Sequence, residues 1–237
     1  MNRTVIRLTA QAMLGGRRVL LVSAMAVILI GLALLVRVIG DISEPDIAQF
    51  LQVVSLATLM PLFGLIVGTG TIGPEIDDGS IIHLLSKPVP RAVIIQSKLV
   101  VAVVATIAFA VVPTALAALI MGASVSLALA LAVGSLAAGA VYCVLFMLLA
   151  ILTRHAVIIG LGYALIWESL VGSLVPGARN LSVQQWALSV TDAIASPGLI
   201  TSHVGLVLAV TLIVGGFAVA TWYAGSRLRV LTLATDD

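Results

Sequence analysis

Long apolar runs, broken by short polar clusters, set the rhythm of this chain. Val19–Val36 carries no charge and stops at Arg37. Ile47–Gly73 is uncharged throughout, and Leu99–Thr153 holds no charge at all. A helix that crosses a bilayer needs about 20 mostly apolar residues. The third run is therefore too long for one crossing and right for two, with the turn expected at Met121–Ser126, where Gly122, Ser124 and Ser126 cluster. Ala156–Val175, interrupted by Glu168, and Val204–Tyr223 complete the set. The pattern predicts six spans, at about 19–37, 48–73, 92–120, 127–152, 156–175 and 204–224. Pro61 and Pro113 fall inside spans and are expected to kink them.

The segments outside the spans have their own signatures. Residues 1–16 place Val5, Leu8, Ala12 and Met13 at helical spacing with Arg3 and Arg7 elsewhere on the wheel. This predicts an N-terminal helix lying on the membrane surface, with a frayed tail as the alternative. Residues 176–203 mix Pro176, Arg179, Gln184, Trp186, Asp192 and His203 with apolar positions, too polar for a span and too apolar for a free loop. One or two short interfacial or re-entrant helices are expected there, with Trp186 at headgroup level.

Composition turns the pattern into a class. The chain is 61% hydrophobic and 9% charged, whereas soluble domains carry about 25% charged residues. An all-α, multi-pass membrane protein follows, forming a single transmembrane domain. Gly64 and Gly68 have the G-x-x-x-G spacing of close helix packing. The single cysteine, Cys143, has no partner for a disulfide or a metal site. The first apolar run offers no clear cleavage site before Arg37, so it is expected to stay as a span. His83, His155 and His203 are isolated, no nucleophile–base set is legible, and no G-x-x-x-x-G-K-[ST] phosphate loop occurs. The chain is expected to be no enzyme by itself, to bind no cofactor or metal, and to take no nucleic acid as partner. With the N-terminus inside, ten of the twelve Lys and Arg fall on the cytoplasmic side and two, Arg37 and Arg179, on the outer side. That asymmetry predicts an inner-membrane protein with both termini cytoplasmic.

The polar island from Pro74 to Lys98 is then cytoplasmic. Pro74 suits a first helical turn, Glu75, Asp77 and Asp78 suit the positive end of a helix dipole, and Pro88 and Pro90 stop the helix. Ile81, Leu84 and Leu85 share a face. An amphipathic helix over 74–88 is expected, after which Arg91 and Lys98 snorkel from the third span to the headgroups. Such a helix either returns the chain to the bilayer or docks a partner. The residues Glu75-x-x-x-Gly79-Ser80, Leu84-Leu85-Ser86-x-Pro88-x-x-Arg91 and Lys98-Leu99 resemble the first cytoplasmic loop of ABC-2-type transporter permeases. Ser80 and Pro90 depart from that family's usual Thr and Ser, and the layout of spans resembles it across the whole chain.

The resemblance implies that 74–88 is a coupling helix seated on a separate ABC ATPase subunit, present in two copies, with Glu75, Asp77, Asp78, Ile81, Leu84, Leu85 and Arg91 at the contact. It implies a dimer of permease protomers, identical or not, with ATP and magnesium held by the partner. The expected function is export of a hydrophobic or amphipathic substrate. Two alternatives stand beside it: a maturation-type permease that couples ATP hydrolysis to a periplasmic protein, as in copper-enzyme assembly, and an ATPase-independent channel or secondary transporter. Glu168, the one acid inside a predicted span, either lines a substrate path with Trp186 at an outer gate, or pairs with Arg179, or marks a span that ends early at the outer headgroups.

Overall fold

The structure, a computed structural model, describes residues 3–14, 17–40, 42–77, 90–171 and 177–233. Helices α1 (Arg3–Leu14) and α2 (Arg17–Ile39) lead to α3 (Glu44–Leu51). A π-helical stretch, Gln52–Leu59, joins α3 to α4 (Met60–Asp77). Helix α5 (Arg91–Thr106) passes through a π turn, Ile107–Val111, into α6 (Val112–Met121). Then come α7 (Val125–Leu152), α8 (Ala156–Gly162) with a π stretch at Tyr163–Val171, α9 (Val183–Ile194) and α10 (Leu206–Leu233).

Five helical stretches are long and apolar enough to cross a membrane: Arg18–Ile39, Glu44–Ile76, Ala92–Met121, Val125–Leu152 and Leu206–Arg227. The chain is an all-α membrane protein. The expected fifth span is different. Its described helix covers sixteen residues, Ala156–Gly162 and Tyr163–Val171, about 24 Å at 1.5 Å per residue, against a hydrocarbon core of about 30 Å.

Pro61 and Pro113 each follow a π stretch. A proline ring in an α-helix collides with the carbonyl four residues back and removes its donor. Here the turn before each ring is widened. Met60 N–H reaches the Ser55 carbonyl just before Pro61, and Val112 N–H reaches the Ile107 carbonyl just before Pro113. The first widened segment is tied to the start of α6 where Ser55 Oγ and Thr114 Oγ1 share a hydrogen bond of 2.6 Å, a polar link between helices in an apolar surround. The turn expected at 121–126 is found at 122–124. Gly122 takes a left-handed φ of 96°, which only glycine adopts at no steric cost, and Ser124 Oγ caps α7 by accepting from Leu127 N–H.

Helix α7 is the pillar of the bundle and the most deeply buried span, while α2 and α10 are mostly uncovered. Its tightest neighbour is α4. A Cβ on Gly64 would stand 2.3 Å from Tyr142 Cβ, and one on Gly68 would stand 2.6 Å from the Cys143 carbonyl oxygen. The G-x-x-x-G pair thus brings two backbones together, as its spacing predicts. Gly64→Val is expected to destabilise the bundle by about 3 kcal/mol through overpacking, measured by unfolding in detergent; a change below about 0.5 kcal/mol would mean that the seam is loose.

Contacts assign the helix ends to two faces. Arg18 touches Gly70, Lys98 touches Glu75, and Gly225 packs near Ala92. At the other end the Ser124 N–H donates to Glu44, and Gly122 lies by Arg37. Arg18, Lys98, Arg154 and Arg227 therefore belong to one end, called here the basic end.

Candidate functional site

Two polar clusters interrupt the apolar interior. The first lies at the basic end, around Pro74. The expected coupling helix would begin at Pro74, but α4 runs on through it to Asp77. The reason is a pair of donors from other helices. Pro74 has no N–H to offer the Gly70 carbonyl, and Arg18 Nη1 from α2 donates to that oxygen instead, at 3.0 Å. One residue on, Lys98 Nζ from α5 donates to the Thr71 carbonyl and to Glu75 Oε1, both at 2.6 Å. Gly70 leaves room for the arginine: a Cβ there would stand 3.3 Å from Arg18 Cδ, a tight contact.

Lys98 therefore does not snorkel to the headgroups. Its side chain is fully buried, while that of Glu75 is 31% exposed. An ammonium taken out of water needs an opposite charge and hydrogen bonds to remain, and Glu75 with Thr71 supplies both. The pair spans 23 residues of sequence and clamps the end of α4 to the start of α5. Of the docking set, Glu75 sits in this clamp. Asp77 and Arg91 lie at the last turn of α4 and the first of α5. Asp78, Ile81, Leu84 and Leu85 lie outside the described residues.

The second cluster surrounds Glu168. It does not face headgroups: the residue is completely buried. Its carboxylate accepts from Tyr163 Oη at 2.9 Å, Ser182 Oγ at 2.5 Å, Val183 N–H at 3.0 Å and Gln184 N–H at 3.3 Å. The last two are free donors of the first turn of α9, so Glu168 caps that helix and meets the positive end of its dipole. Ser182 Oγ completes the cap by accepting from Gln185 N–H. The fully buried Tyr142 ring of α7 faces the same carboxylate.

Helix α9 is no surface element. Ser126 Oγ at the start of α7 donates to the Ile194 carbonyl, and a Cβ on Gly134 would collide with Thr191 Oγ1. Helix α9 therefore runs antiparallel to α7, and its twelve residues carry its capped end about 18 Å into the bundle. Trp186, expected at headgroup level, is 8% exposed and donates through Nε1 to the Asn180 carbonyl at 2.8 Å. It is held in protein, on the side of α9 that approaches α10 at Gly216. The capping role of Glu168 was missed from sequence, although Ser182-x-x-Gln185 is a capping-box pattern that marks this helix start.

Among the described residues no three His, Cys, Asp or Glu stand close enough to hold a metal ion. Comparison of the chain with protein-family models and with curated proteins gives no match.

Proposed function

We propose that the chain is the permease subunit of an ATP-driven transporter, working as a dimer on two copies of a separate ATPase, and that it exports a hydrophobic or amphipathic substrate. The observation that carries this reading is the Glu75–Lys98 clamp. Both residues belong to the motif that resembles ABC-2 permeases, and their pairing joins the two helices that flank residues 78–90. A push on that segment by a partner would reach α4 and α5 together. The pairing of Glu75 with the buried Lys98 makes the acid a transmitter of that push, with Leu84 and Leu85 as the docking ridge.

In this reading the chain crosses the inner membrane six times, with both termini and the basic end in the cytoplasm. Its fifth crossing is broken into α8 with its π stretch and the half-helix α9, and α1 lies on the inner surface. Broken helices are tolerated inside a membrane only where protein satisfies the freed backbone groups, and Glu168 does so here. Trp186 and the 195–205 connection, which Asp192 ties down through Ser202 N–H and Oγ, would form the outer gate.

Affinity purification in mild detergent tests the proposal. An ABC ATPase is expected to co-purify with the chain, and Leu84→Asp with Leu85→Asp is expected to lower its yield at least tenfold without changing the melting temperature. Isolation of an active transporter with no ATPase, unaffected by the two substitutions, would point to a channel or secondary transporter.

A further inference from the structure

A crevice of about 250 Å³, open along part of its length, lies between α1, α2, α4 and α5. Ala10, Val22, Ile66, Ala105 and Phe109 wall it, and Arg18 stands at its basic end. The lining runs from Val101 of α5 to Phe109 of the π turn that follows it, about 12 Å of helix, so the space is long in the direction of the helix axis. Its walls are apolar apart from the Arg18 end. Water needs two to four polar partners to occupy a cavity, and the walls do not offer them. Left empty, the space would deprive every wall of its contacts.

The arginine gives the space a head and a tail. A guanidinium carries five N–H donors in a fork that matches phosphate oxygens. Arg18 uses Nη1 on the Gly70 carbonyl, and among the described residues no carboxylate pairs with it. Arg7, exposed, precedes Ala10 by one helical turn on the same side of α1. A cation at one end of a narrow apolar channel matches a single amphiphile in shape and charge. We propose that the crevice binds one anionic phospholipid, with an acyl chain between α2 and α5 and the phosphate on Arg18, so that α1 closes over the lipid. Helix α1 would then be held to the bundle partly through that lipid.

Native mass spectrometry of the whole chain, released from nanodiscs holding equal amounts of phosphatidylglycerol and phosphatidylcholine with the same acyl chains, tests this. The wild type is expected to retain one lipid per chain, with phosphatidylglycerol favoured about tenfold, the difference made by a charge-assisted contact. Ala105→Leu fills the channel and is expected to lower retention about tenfold. Arg18→Gln, which removes the charge and keeps an amide donor, is expected to keep the lipid and lose the preference. Val22→Phe fills the same space from the opposite wall and replaces Ala105→Leu should that variant fail to fold. Should neither filled variant fold, wild-type melting decides: phosphatidylglycerol must raise the melting temperature more than phosphatidylcholine. Retention unchanged in a filled variant, no headgroup preference in the wild type, equal melting shifts, or displacement of the lipid by inorganic phosphate would each overturn the proposal.

Discussion

Glu168→Ala is expected to lower the unfolding free energy by about 4 kcal/mol, the largest loss from any single polar substitution in the bundle. The carboxylate satisfies four donors at once, and two of them are backbone N–H groups of α9. Each buried donor left without an acceptor costs about 1–3 kcal/mol, and the four losses overlap because they share one site. Glu168→Gln is expected to cost about half as much: one oxygen still accepts, while the amide N–H₂ faces donors. Unfolding in a denaturing-detergent titration measures both. An alanine variant within about 1 kcal/mol of wild type would show that α9 is held by its α7 contacts alone. The same loss would loosen the proposed outer gate, so transport should fall with stability.

Glu75→Ala is expected to cost about 3 kcal/mol and Lys98→Met less than half of that. The inequality follows from burial. Removing the acid strands an ammonium whose side chain has no exposure, whereas removing the lysine leaves an acid whose side chain keeps 31% of its surface exposed, although its Oε2 is covered. Breaking a buried pair from one side costs about 3–5 kcal/mol, and replacing both partners by apolar groups costs far less; the partial exposure here sets the lower end. The double variant Glu75→Ala with Lys98→Met should therefore be more stable than Glu75→Ala alone. Equal losses in the two single variants would sink this account of the clamp. The double variant also separates two roles. If it regains stability but still loses the ATPase, Glu75 touches the partner; if it keeps the ATPase, Glu75 acts through Lys98 only.

Five of the six expected spans were legible because each is a local property: a run of apolar residues long enough for a bilayer, ended by charge or by a turn. Gly122 with Ser124 marked the hairpin between α6 and α7 for the same reason, since a left-handed turn and an N-cap are written in adjacent residues. Pro74 misled because its effect is local while its remedy is not. The donor that replaces its missing N–H comes from Arg18, 52 residues from Gly70, and no window of sequence joins them. Lys98 misled similarly: at the edge of an apolar run a lysine reads as a snorkelling residue, and only the packed bundle brings Glu75 to it. Glu168 stood out as the one acid inside a predicted span, but its employer, the first turn of α9, lies fourteen to sixteen residues further on. The docking residues 78–89 rest on motif spacing alone.

The α4–α7 seam also gives the protein a built-in clock for its own opening. Cys143 is the chain's single cysteine and is fully buried. Its Sγ lies against Thr106 Oγ1 at 3.4 Å, and the glycine face of α4 covers its backbone. A thiol reagent can reach it only when α4, α5 and α7 part company, so the native chain carries one silent reporter at its centre. The rate at which a maleimide labels the unmodified protein then reads the frequency with which the pillar is uncovered. Every cysteine introduced elsewhere can be followed against a background that stays dark until that happens.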